Sequence, residues 1–156
     1  MIDNLKVGYH VWASKNQLLL FVLGDSSNTL HLYDISKKTD KGLATNIGRS
    51  LHKIPGENAM SFIQIISEFE KQIKKINLAT GEISLITNTM PGQEYITWLQ
   101  SDILLAGRGT GLFIYNTKLP EGWQPVFLEG ETSALKGITR IAVNENKTKL
   151  AVVISE

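Results

Sequence analysis

Four apolar runs of strand length recur along the chain at a nearly constant interval, and this period constrains the fold more than any other feature. "LLLFVLGD" starts at Leu18, "SFIQIISE" at Ser61, "DILLAGRG" at Asp102 and "KLAVVISE" at Lys149, so the starts are 43, 41 and 47 residues apart. Each run ends in glycine or a charge, as a buried strand entering a turn would. A second set follows three of them: "LHLYDI" from Leu30, "IKKINL" from Ile73 and "LFIYNT" from Leu112. Asp34, Asn77 and Asn116 close this set, where a short carboxylate or amide can bond the backbone two residues on and so start a turn. A third set comprises "LATNI" from Leu43, "SLITNT" from Ser84 and "PVFLEG" from Pro125. Ahead of the apolar runs stand "YHVWAS" from Tyr9, "RSLHKI" from Arg49, "YITWLQ" from Tyr95 and "TRIAVN" from Thr139.

A period of roughly 40–45 residues with four short strands in each unit is the pattern of propeller blades. The expected fold is therefore all-β: an incomplete β-propeller of about three and a half four-stranded blades. It forms a single partial domain, with blades at 9–48, 49–93 and 94–130 and a half blade at 137–156. The innermost strands can be almost wholly apolar because neighbouring blades cover both faces, and Trp12 and Trp98 are expected to fill the space between blades. One stretch supports a second reading. From Ala59, residues Phe62, Ile63, Ile66, Phe69, Ile73 and Ile76 recur at three- and four-residue steps, which suits an amphipathic helix of about five turns. The repeat favours strand–turn–strand, because the same slots elsewhere hold Gly and Asn, which weaken a helix.

The bulk numbers agree with a folded domain. The 156 residues suffice for one real core, and 42% hydrophobic with 20% charged residues argues against disorder. A net charge of +1 leaves no basic surplus for a nucleic-acid backbone, and no polybasic tract points to a membrane surface. With no cysteine, disulfides, thiolate nucleophiles and cysteine-held metals are excluded. "LLLFVL" is too short to span a bilayer, and "MIDNLKVGYHVW" does not read as a secretory signal.

With the repeats laid out, the chain resembles the C-terminal part of the TolB-like β-propeller family, whose members carry WD-like repeats. The resemblance rests on "VGYHVW" (7–12), "LLFVLGD" (19–25), "NIGRSLHKIPG" (46–56), "INLATGE" (76–82) and "GITRIAVNENKTKLAVV" (137–153). The last departs from the family's Ser-Pro-Asp-Gly turn, reading "NENK" instead. The resemblance implies a propeller that binds a protein or peptide, further blades upstream, and a periplasmic location if the chain is a fragment of an exported member. By strand count the final unit lacks two outer strands, so an upstream segment or self-association would supply the missing blades.

Motifs for chemistry are sparse. "GRSLH" at Gly48 is not a nucleophile elbow, and "GRGTG" at 107–111 lacks the Lys-Ser/Thr ending of a phosphate loop. The latter reads as a hairpin turn whose Arg108 could face a ligand. His10, His31 and His52 have no partners at metal-ligand spacing, and no cofactor is expected. Arg49 and His52 lie near the start of an innermost strand, where it would open onto a propeller's central channel. They could bind an anion or a peptide carboxylate, or instead cap buried backbone groups. Trp123, between Pro120 and Pro125, could touch a partner or pack on an outer strand. The charges of "YDISKKTDKG" read as a solvated turn. The expected function is a non-enzymatic binding scaffold. The alternative is a propeller domain of, or associated with, a hydrolase or peptidase, with Glu94 as the first carboxylate to test.

Overall fold

The computed structural model describes residues 4–130 and 135–155 and contains strands, turns and no helix among them. The first sheet is a meander of β1 (Val7–Ser14), β2 (Gln17–Val22), β3 (Thr29–Asp34) and β4 (Thr39–Thr45). The second runs β5 (Ile47–Lys53), β6 (Ala59–Ile65), β7 (Lys71–Asn77) and β8 (Ile83–Asn88). The third runs β9 (Ile96–Trp98), β10 (Ile103–Arg108), β11 (Gly111–Asn116) and β12 (Trp123–Val126). A two-stranded sheet of β13 (Ile138–Val143) and β14 (Leu150–Ile154) follows. All pairings are antiparallel, and the fold is an incomplete β-propeller of three and a half blades. Glu156, the expected end of the half blade, lies outside the described residues.

The turns follow from the residues that start them. Asp34 Oδ1 accepts the Lys37 N–H at 2.9 Å, and Asn77 Oδ1 accepts from Ala79 at 2.9 Å and Thr80 at 3.2 Å. Asn116 Oδ1 accepts from Lys118 N–H at 2.9 Å. Each side chain substitutes for the carbonyl that would otherwise close the turn. In "NLATGE" the turn finishes at Gly81 with φ +76°, a conformation costly for any residue with a Cβ. The helical alternative at 59–75 is not realised. Ile66 N–H donates to Glu70 C=O at 2.9 Å, and Ser67 Oγ accepts the Glu70 N–H at 3.1 Å, closing the β6–β7 hairpin.

The chain forms two compact units, Met1–Glu94 and Tyr95–Glu156. In the first, Leu19, Phe21 and Leu30 of one sheet pack on Leu51, Met60, Phe62 and Ile76 of the next, all buried. Burying a residue of this size stabilises by about 1.5–3 kcal/mol, so the two sheets are bound chiefly by this layer. In the second unit, Leu105 and Leu112 meet Ile138 and Ile141.

Three expectations need correction. Trp98 is buried at 7% exposure, but Trp12 is 54% exposed and so is not a filler between blades. Trp12 pairs with Leu18 at the irregular end of β1, where a register shift precedes Ser14. The outer strand expected from Pro125 begins at Trp123 and ends at Val126, which leaves Phe127 outside it and 92% exposed. Tyr115 and Trp123 face one another at 5.5 Å and set this register. Of the charges expected in a solvated turn, Asp40 and Lys41 already belong to β4.

Candidate functional site

β5 is buried from Ile47 to Leu51 with one exception. Ile47, Gly48, Ser50 and Leu51 are buried, yet Arg49 in their midst is exposed. The register shifts between Ile47 and Leu51, so this stretch departs from simple alternation. His52 is half-buried and its Nε2 lies 3.0 Å from Ser50 Oγ, which fixes the ring along the strand.

Glu94 stands beside this stretch. Its Oε2 is 3.5 Å from Lys71 Nζ at the start of β7, and both side chains are largely covered. A Cβ on Gly48 would come within 3.0 Å of Glu94 Oε2 and 3.0 Å of Ile63 Cγ2. The absence of a side chain at Gly48 is therefore what admits the carboxylate.

Arg49, His52 and Glu94 thus gather around β5 in the first unit. Arg108 and Trp123 belong to the second unit and do not meet. Arg108 pairs with Gly111 at the β10–β11 turn, whereas Trp123 pairs with Tyr115 and, through it, stands level with Leu104. Four residues of strand separate the two levels, about 13 Å at 3.3 Å per residue. Gly109, φ +61°, opens the two-residue hairpin loop, as the mirror-image turns of hairpins require. Trp123 is half-buried against Tyr115.

Sequence reasoning missed one pair. The Arg140 guanidinium lies 4.9 Å from the Tyr95 ring centre, and its Nη2 is 3.4 Å from the Tyr95 hydroxyl. The signal was present in the repeat, since Tyr95 immediately precedes β9 and Arg140 is near the start of β13. Among the described residues no group of three or more His, Cys, Asp or Glu could hold a metal ion.

Meandering four-stranded antiparallel sheets in succession define an incomplete propeller as the structural class. The structure is similar to that of TolB from Acinetobacter baumannii, with a TM-score of 0.67 and 13% identity over 97% of this chain. The chain spans 38% of TolB's length. An uncharacterized protein from Listeria monocytogenes matches with a TM-score of 0.41 and 11% identity, over 97% of this chain and 60% of that one. No protein-family model matches the chain, and no curated protein matches it. The fold is TolB-like, and identity this low establishes the fold alone.

Proposed function

We propose that the chain is a non-enzymatic binding scaffold that offers the start of β5 to an anionic group, such as a peptide carboxylate. The observation carrying this reading is the exposure of Arg49 between four buried neighbours, Ile47, Gly48, Ser50 and Leu51, on a strand that contributes Ile47 and Leu51 to the core. A guanidinium presents a rigid fork that matches a carboxylate, and the half-buried His52, its Nε2 3.0 Å from Ser50 Oγ, stands three residues further along the same strand. Glu94 lies beside Gly48 of the same strand, its carboxylate paired with Lys71. Arg108 at its turn and Trp123 on its outer strand are additional partner contacts in this reading.

The second part of the proposal concerns β14. It occupies the repeat slot of β2, β6 and β10, each largely buried, yet β14 is largely exposed. Strands from another segment or a second copy would pair with its edge and cover it.

The test is fluorescence anisotropy with a library of short labelled peptides, each prepared with a free C-terminal carboxylate and as the amide. Peptides that bind should prefer the carboxylate form by about tenfold, the worth of one charge-assisted contact, and Arg49→Met should abolish the preference. Equal binding of acid and amide, or an Arg49→Met protein that still discriminates, would refute the role of Arg49.

A further inference from the structure

A second feature lies between the two sheets of the first unit, lined from β3, β4, β6, β7 and β8. There the structure forms a groove of about 690 Å³, within the range of small-molecule sites. Leu43, Ala44 and Thr45 of β4 line one side, and Gln64, Lys74 and Ile83 of the second sheet line the other. Leu43, Ala44 and Ile83 continue the apolar core outward and give the groove an apolar floor. Gln64 donates its amide to Thr45 C=O at 3.1 Å, tying the two sheets together at the groove's edge.

Charge is distributed unevenly around it. Among the described residues no carboxylate lines the groove itself, and the Asp40 carboxylate next to it is engaged by His31 at 2.8 Å. Lys71 and Lys75 of β7 are paired with Glu94 and Glu57, at 3.5 and 3.1 Å. Lys74, half-buried between them in sequence, has no ion pair or hydrogen bond among the described residues. A second cation approaches from β4: Lys41 Nζ is 3.8 Å from where a Cβ on Gly81 would stand, and it too lacks an anion among the described residues. Lys41 directly precedes Gly42, a lining residue, and Gly81 lies two residues before Ile83. His31, also at the groove, has its ring nitrogens near Asp40 (2.8 Å) and Thr29 (2.9 Å), so its polar atoms are already engaged.

We propose that this groove binds a small amphiphilic carboxylate, an organic acid with an apolar body and one anionic head. The head meets Lys74, with Lys41 closing the rim, and the body covers Leu43, Ala44 and Ile83. The apolar floor distinguishes this ligand from an inorganic anion, and the unpaired ammonium groups distinguish it from a neutral one. The site does not depend on the reading of β5, since it uses other strands and other residues.

The test is a titration of the isotope-labelled chain, followed by amide chemical shifts, with 3-phenylpropionate, 3-phenylpropanamide and inorganic phosphate as probes. The propionate should move the signals of Gly42–Thr45, Gln64 and Ile83 in the millimolar range. The amide and phosphate should each bind at least about tenfold more weakly. Lys74→Met keeps the apolar stem and should weaken the propionate about tenfold, with Lys41→Met costing less because Lys41 sits at the rim. Amide or phosphate binding as tight as the propionate would overturn the proposal, as would shifts scattered outside the groove or none at all. Should Lys74→Met fail to fold, the comparison of acid with amide on the unaltered chain still decides.

Discussion

A Cβ added to Gly107 of β10 would collide with Cγ2 of Ile138 on β13 and stand 3.1 Å from the Ile138 Cβ. Ile138 is itself buried, so it cannot swing aside into solvent. Gly107→Ala should therefore destabilise by about 1–3 kcal/mol through overpacking. The same change in an Ile138→Ala background should cost much less, because the colliding methyl is gone. Urea midpoints of the four proteins of this cycle measure the coupling, and strict additivity would show that the two positions do not touch. Electrostatics acts at the same scale. The Lys118 ammonium, 2.9 Å from Asp102 Oδ2, holds that carboxyl below the ordinary carboxylate range through a hydrogen bond, with the direct charge attraction adding to it. Because the folded pKa is depressed, the stabilisation is present above the unfolded value near 3.9 and is lost as pH falls through the folded one. Lys118 is exposed, so the effect on stability is small and screened by salt. Carboxyl carbon shifts should show Asp102 titrating low, and Lys118→Met should return it toward the ordinary value. An unmoved titration would remove the pair.

The segment from Ala59 to Ile76 shows how an element can be read two ways and which feature decides. Phe62 and Phe69 both fall on the apolar stripe that a helix would present, yet the β6–β7 hairpin separates them. Phe62 is fully buried, while Phe69 at the hairpin tip is 84% exposed. Phe62→Ala should cost about 3–5 kcal/mol, whereas Phe69→Ser should change stability by no more than about 0.5 kcal/mol. Thermal denaturation of the two variants checks this, and comparable losses would favour a shared apolar stripe. The fold was legible because period and turn chemistry agree: Asp34, Asn77 and Asn116 each mark a strand end and bond the backbone ahead, two residues on at Asn77 and Asn116 and three on at Asp34. Element ends were less legible. β12 starts where Trp123 finds Tyr115 across the strands, and cross-strand ring packing is not visible in a linear pattern. Of the candidate site, the residue types at β5 were legible, but the support under them was not. Glu94 and Lys71 are 23 residues apart, and only the folded sheet brings them to Gly48.

At the scale of the whole molecule the repeat itself generates an expectation about partners. Its second strand is written in apolar residues every time: "QLLLFV" in β2, "AMSFIQI" in β6, "ILLAGR" in β10 and "LAVVI" in β14. Such a strand is stable when sheets cover both faces and strands pair with both edges. The first three meet that condition by burial, but in β14 Leu150 is 39%, Val153 53% and Ile154 43% exposed. Among the described residues the sheet holding β14 has only β13 beside it, and no strand pairs with the other edge of β14. Apolar side chains next to an unpaired edge favour strand addition, because each added strand satisfies hydrogen bonds and removes apolar surface from water together. The chain should therefore associate through β14 as its concentration rises. Sedimentation velocity over a hundredfold concentration range should show a shift to faster species, which Val153→Lys should suppress by placing a charge on that surface. The substitution is at an exposed position and should alter stability by no more than about 0.5 kcal/mol, so loss of association could not be ascribed to unfolding. A single slow species at every concentration, with no binding of a hydrophobic dye, would mean that β14 is content in water and needs no neighbour.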